Sequence, residues 1–101
     1  MESTLKKQIT KYLKQFNVFS FNYNPWMGLN GMTDILLIVP GYQLICIETK
    51  GKGKNVTPVQ LNVHKKLRDA GAYVFVVRSK QDLIDMLDFY NIKLFEKEKK
   101  K

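Results

Sequence analysis

The sequence predicts an α/β fold with a mixed central sheet, and three observations carry that prediction. Apolar residues near the amino terminus recur at helical spacing. Three strand-like runs follow between Phe19 and Thr49, and two capped helical stretches then bracket one more strand. The order is helix, three strands, helix, strand, helix. At 101 residues, with 45% hydrophobic and 12% aromatic content, the chain supports one domain with a real core and is too short for two. Residues 1–95 are assigned to that domain. Residues 96–101 carry only charges, offer no face to bury, and are expected to fray.

Leu5, Ile9, Tyr12, Leu13 and Phe16 form the inward stripe of the first helix, and Lys6, Lys7, Lys11 and Lys14 occupy the remaining positions. Glu2 precedes Leu5 by three residues. It either complements the positive end of the helix dipole or, if the helix extends back to it, falls on the inward stripe. Phe19, Phe21 and Tyr23 alternate with Ser20 and Asn22, the period of a strand with one aromatic face. From Asn24 to Met32 the chain reads as a loop in which Gly28 and Gly31 permit tight turns. Trp26 in that loop either props it or stacks on a base, and packing is the simpler role.

Ile35 to Val39 and Tyr42 to Thr49 are nearly continuous apolar runs around Pro40-Gly41, which predicts a hairpin in the middle of a sheet covered on both faces. Gly51 to Asn55 is a flexible basic connector. Thr57-Pro58 is an N-cap followed by proline at the first helical position, and the helix runs to about Ala70, where Gly71 stops it. Tyr73 to Val77 is a strand of aromatic and β-branched residues. Ser79 with Asp82 then caps a last helix through about Tyr90.

The formal charge is +8, and residues 1–68 hold ten Lys or Arg against only Glu2, Asp34 and Glu48. Such a balance favours a polyanionic partner, although a basic face can also serve solubility alone. Cys46 is the single cysteine and lies within an apolar strand, which excludes an intrachain disulfide or a zinc cluster. The amino terminus lacks the basic-then-apolar order of a signal peptide, and no run approaches a membrane span of roughly 18 apolar residues. An intracellular, cytoplasmic and reducing setting is expected, with no membrane association.

Against this background the pattern Thr-Asp34, thirteen residues, Glu48-Thr-Lys50 stands out. An unpaired carboxylate in a buried strand costs far more than it returns. Two carboxylates about 4 Å apart repel by roughly 4 kcal/mol at an effective dielectric near 20, and a hard divalent cation such as Mg2+ converts that repulsion into binding. The sequence thus points to metal-assisted phosphodiester chemistry. Glu48 and Lys50 leave one strand on the same face; in such a site the lysine would orient water or stabilise charge developing on a phosphate. An exposed Glu-Lys pair on an edge strand is the bland alternative. Asp34 joins Glu48 only if the two are directly opposed, which requires an odd-numbered connection, so a three-residue turn or a bulge is expected in the hairpin.

Gln60 completes a capping box with Thr57, or turns its amide toward the strand ends, since it shares a face with Val63 and Leu67. His64, beside Lys65 and Lys66, is expected to be an exposed helix residue or a phosphate contact rather than a base. Lys52, Lys54, Lys65, Lys66 and Arg78 are candidate phosphate contacts.

These motifs resemble the PD-(D/E)xK nuclease superfamily, and more closely its virus-type replication-repair nuclease branch, VRR-NUC. The resemblance rests on Gly31-Met-Thr-Asp34, Ile45 through Gly51, Thr57-Pro-Val-Gln60, Leu67 through Ala72, and Val76 through Ser79. Thr33 stands where the superfamily name has proline. The resemblance implies a restriction-endonuclease-like αβββαβ core, its mixed central sheet flanked by helices, with an additional C-terminal helix. It further implies a Mg2+- or Mn2+-dependent endonuclease, in which Asp34, Glu48 and the Ile47 main-chain carbonyl surround the metal, Lys50 is catalytic and Gln60 is accessory. Glu2 is the matching candidate for a helix-borne glutamate that joins the site. Small members look like homodimers acting on branched DNA, including four-way junctions. A catalytically inactive nucleic-acid-binding module, or a nuclease of the same fold that cleaves RNA, are the alternatives.

Overall fold

Leu5, Ile9 and Leu13 are buried, and their common stripe fixes where the first helix sits. The computed structural model describes residues 2–24 and 28–97. In chain order the elements are α1 (Glu2–Leu13), β1 (Phe19–Asn22), β2 (Ile35–Ile38), β3 (Ile45–Thr49), α2 (Pro58–Asp69), β4 (Tyr73–Val77) and α3 (Lys80–Phe89). The strands form one sheet in the order β1-β2-β3-β4. The first two pairings are antiparallel and the last is parallel. A parallel neighbour cannot be reached by a hairpin, and α2 supplies the crossover.

The period-two alternation divides the core. Ile35, Leu37, Ile45, Ile47, Phe75 and Val77 share one cluster with Leu5, Ile9 and Leu13 of α1 and Leu83 and Leu87 of α3. Leu36, Cys46 and Val74 pack with Leu67 of α2 on the other side. Every residue of β3 is buried, which explains why its sequence does not alternate. Helix starts follow local chemistry. Thr57 and Gln60 form a reciprocal capping box, and the Ser79 hydroxyl accepts from the Asp82 amide at 3.0 Å.

The hairpin departs from expectation in length and agrees in parity. Leu37 pairs with Ile45 and Ile35 with Ile47, so one step further Asp34 stands opposite Glu48. The connection spans residues 38–44, odd-numbered but longer than a three-residue turn. Pro40-Gly41 makes the bend, with Gly41 at φ +87° and the Tyr42 amide donating to the Val39 carbonyl at 3.1 Å. Tyr42 has left the expected strand because its hydroxyl donates to the Asn91 carbonyl at 2.9 Å and accepts from the Lys93 amide at 3.3 Å.

The expected tail boundary also shifts. Phe16 has left α1 and bridges Glu96; the Asn17 amide donates to the Phe95 carbonyl at 2.7 Å and the Lys97 amide to the Gln15 carbonyl at 3.1 Å. Glu96 and Lys97 therefore belong to the fold, because backbone pairing does not require an apolar side chain. Trp26 and residues 98–101 lie outside the described residues. Among those described, no helix is long and apolar enough to cross a membrane.

Candidate active site

Gly31 brings the loop before β2 close to α2: its φ is +85°, and a Cβ there would lie 2.8 Å from the Val59 carbonyl oxygen. Asp34 follows at the mouth of β2. Its Oδ2 accepts from both the amide and the hydroxyl of Thr49, each at 2.8 Å, so the carboxylate is pinned across the strand gap to the end of β3. Lys6 Nζ approaches its Oδ1 at 3.9 Å from α1.

Glu48 is only 2% exposed. From α2, Gln60 Nε2 donates to its Oε2 at 3.3 Å, and His64 Nε2 lies 3.4 Å from its Oε1. Gln60 thus fills both roles left open by the sequence, since its Oε1 also accepts from the Thr57 amide at 2.9 Å. The expectation of an exposed His64 is corrected: the ring is fully buried. Burial pushes its pKa down, the Arg68 and Lys50 charges act in the same direction, and Asp34 opposes them. Burial thus favours the neutral imidazole, and a neutral ring with its proton on Nε2 would donate to Glu48. Its Nδ1 has no hydrogen-bond partner among the described residues. The signal was present in the sequence, for His64 falls four residues after Gln60 on the face shared with Val63; the adjacent lysines obscured it.

Lys50 is buried and, two residues beyond Glu48, lies on the same face of the sheet. It contributes to the field at His64. Asp34, Glu48, Lys50 and Gln60 are thus gathered at one end of β2 and β3. Ile47 is not placed as expected. The Tyr23 amide donates to the Asp34 carbonyl, so Asp34 turns its backbone toward β1 and Ile35 turns toward β3, where it opposes Ile47. The Ile47 carbonyl is therefore a sheet acceptor in mid-ladder. The next carbonyl on that side of β3 is that of Thr49, beyond the last paired residue of β2. Glu2 begins α1 one turn before Lys6, and its side chain lies outside the described residues.

The residue set fits a hard cation. Among the described residues no group of three or more His, Cys, Asp or Glu side chains could hold a metal. Mg2+ usually takes one or two carboxylates and keeps several waters, so Asp34 and Glu48 with one main-chain oxygen suffice.

The candidate phosphate contacts divide. Arg78 donates through Nη1 to the carbonyls of Gly51 at 2.9 Å and Lys54 at 2.6 Å, so it holds the basic connector in place. That leaves Lys52 and Lys54 displayed on the surface. Lys65 pairs with Asp69 at 2.7 Å, an exposed pair worth about 0.5 kcal/mol or less, and Lys66 is exposed.

No family model matches the chain. It is 30% identical over 91 residues to a protein of Acyrthosiphon pisum secondary endosymbiont phage 1 provisionally described as nuclease p44; the match covers 89% of this chain and 95% of the phage protein. A solved VRR-NUC domain superposes with a TM-score of 0.73 at 26% identity, covering 88% of this chain and 96% of that one. A second, a VRR-NUC domain protein, has the same fold, with a TM-score of 0.75 at 18% identity over 95% and 93% of the two chains. With the strand order, the opposed carboxylates and these relatives together, the chain belongs to the VRR-NUC family of nucleases.

Proposed function

We propose that the protein is a divalent-metal-dependent endonuclease that hydrolyses phosphodiester bonds in DNA, acting on branched substrates such as four-way junctions. One observation carries this reading: the β2–β3 register, extended one step, opposes Asp34 and Glu48, with the buried Lys50 just past the end of β3. Asp34, Glu48 and the Thr49 carbonyl would hold Mg2+ or Mn2+. A bound ion supplies Lewis-acid stabilisation of phosphate oxygens and makes water a better nucleophile. Thr49 fixes the Asp34 carboxylate, and Gln60 with His64 fixes that of Glu48, so neither must reorganise as charge develops. The Lys50 ammonium would stabilise the phosphate charge as water adds to phosphorus and the bond to the leaving oxygen breaks. That oxygen then takes up a proton.

Symmetrical incision of a four-way junction needs two sites related by a two-fold axis, and a homodimer supplies them. Phe19 and Ile38, neighbours across β1 and β2, are both about half exposed, and Phe89 at the end of α3 is 78% exposed. These apolar surfaces support self-association.

The test is cleavage of labelled linear, flap and four-way DNA beside RNA, with Mg2+ or a chelator, paired with light scattering at micromolar protein. Paired incisions in four-way DNA by a dimer, only with metal, are expected. Cleavage of RNA alone would make it a ribonuclease, and binding without cleavage would make it an inactive module. A strict monomer that nicks flaps but spares junctions would defeat the junction reading.

A further inference from the structure

Helix α1 buries Leu5, Ile9 and Leu13, and a period of 3.6 residues then turns Lys7, Lys11 and Lys14 together onto its outer surface. Between this helix and the edge strand β1 lies a groove of about 400 Å³, lined by Lys6, Lys7, Thr10, Lys11, Lys14 and Asn22. It has four cations on its walls and no carboxylate. Thr10 and Asn22 meet in it, with the Thr10 hydroxyl 3.5 Å from Asn22 Oδ1, and the lysine stems supply apolar walls beneath their charges. Among the described residues, Lys7, Lys11 and Lys14 have no carboxylate within ion-pair distance, unlike Lys65, which is paired with Asp69.

The groove leads somewhere. A second cleft, lined in part by Gly31, Thr33 and Asp34, shares Lys6 as a wall. Lys6 thus stands at the junction, 3.9 Å from the Asp34 carboxylate. From Lys14 to Lys6 the helix advances about 12 Å at a rise of about 1.5 Å per residue. That is the length of about three to four phosphates of one strand at about 3.4 Å each along a duplex axis.

We propose that the groove between α1 and β1 is the track along which the substrate's phosphate backbone is led to Asp34, with Lys7, Lys11 and Lys14 neutralising phosphates outside the site and Lys6 marking its entrance. The inference rests on reading the chain as a nuclease acting on DNA. It places the main electrostatic footprint on α1, a surface separate from Lys52, Lys54, Lys65 and Lys66. A lysine face that is merely solvated would contribute nothing to the salt dependence of binding, because counterion release counts only those charges that meet phosphate.

The experiment measures the affinity of a short fluorescent DNA duplex by anisotropy across a range of NaCl concentrations, in chelator so that binding is separated from cleavage. Wild type, the triple variant Lys7→Gln/Lys11→Gln/Lys14→Gln and the control Lys93→Gln/Lys97→Gln are compared, with melting curves to establish that each is folded. The slope of log affinity against log salt should fall in magnitude by about 2.7 in the triple variant, about 0.9 per lost phosphate contact, and stay unchanged in the control. An unchanged slope in the triple variant, or an equal fall in the control, would overturn the track. Cleavage by wild type with Mg2+ is scored separately on labelled four-way and flap DNA. A nuclease whose triple variant keeps its slope refutes the track alone, whereas a protein that shows the expected slopes but never cleaves refutes the nuclease reading alone.

Discussion

Glu48 has almost no contact with water, so its geometry is set by the groups that α2 turns toward it. Replacing His64 by Leu keeps most of the volume but removes one of those donors. This change should cost about 1–3 kcal/mol in a urea melt. Because partners of ligating carboxylates typically count for about 10–100-fold in metal affinity or activity, a loss of that size in a Mg2+ titration of the cleavage rate is also expected. His64→Gln, which retains a donor, should recover part of both. Lys50→Ala should lower cleavage by about 10²–10³-fold, the usual worth of one preorganised electrostatic group, while far-ultraviolet circular dichroism stays native. Full activity of this variant would remove Lys50 from the mechanism. At this scale Asp34, Glu48 and Lys50 were legible because charges interrupt strands that are otherwise apolar. His64 was not, since its neighbours in sequence, Lys65 and Lys66, face water while it faces the sheet.

The elements bring these side chains together through two close approaches. The first is the β2–β3 register, which opposes Asp34 and Glu48. The second is the seating of the loop before Asp34 against α2 at Gly31. Gly31→Ala meets both a positive φ and the Val59 backbone, whereas Gly53→Ala, at φ +78°, meets a positive φ with nothing within 4 Å. Left-handed backbone costs an L-residue about 1–2 kcal/mol. Gly53→Ala should show about that loss, and Gly31→Ala a larger one accompanied by slower cleavage; equal losses would mean that the loop does not need its seat on α2. Thr57→Ala removes the cap of α2 and should cost about 0.5–2 kcal/mol. Caps and the Pro40-Gly41 bend were readable because local residues decide them. The early end of the hairpin strands was not, because Tyr42 is drawn out by Asn91, forty-nine residues away in sequence.

For the molecule as a whole, the mixed sheet followed from the order of elements, since a strand after a crossover helix pairs in parallel. Which helix covers which face, and the seating of Glu96 and Lys97 against Gln15 and Phe16, depend on long-range packing that no local pattern carries. Cys46 reports on that packing. It is fully buried, and burial pushes its thiol pKa up while the neighbouring Thr33 hydroxyl pulls it down. A thiol reagent should therefore modify it only at the rate of global opening, and the urea dependence of labelling should follow that of unfolding; labelling as fast as that of a free peptide would show that the sheet opens locally. In the proposed site Asp34 and Glu48 share one divalent cation, and anomalous diffraction from crystals soaked in Mn2+ tests that most directly. A strong peak within ligand distance of both Asp34 and Glu48 is expected, whereas a map with no peak there, at manganese concentrations that support cleavage, would contradict it.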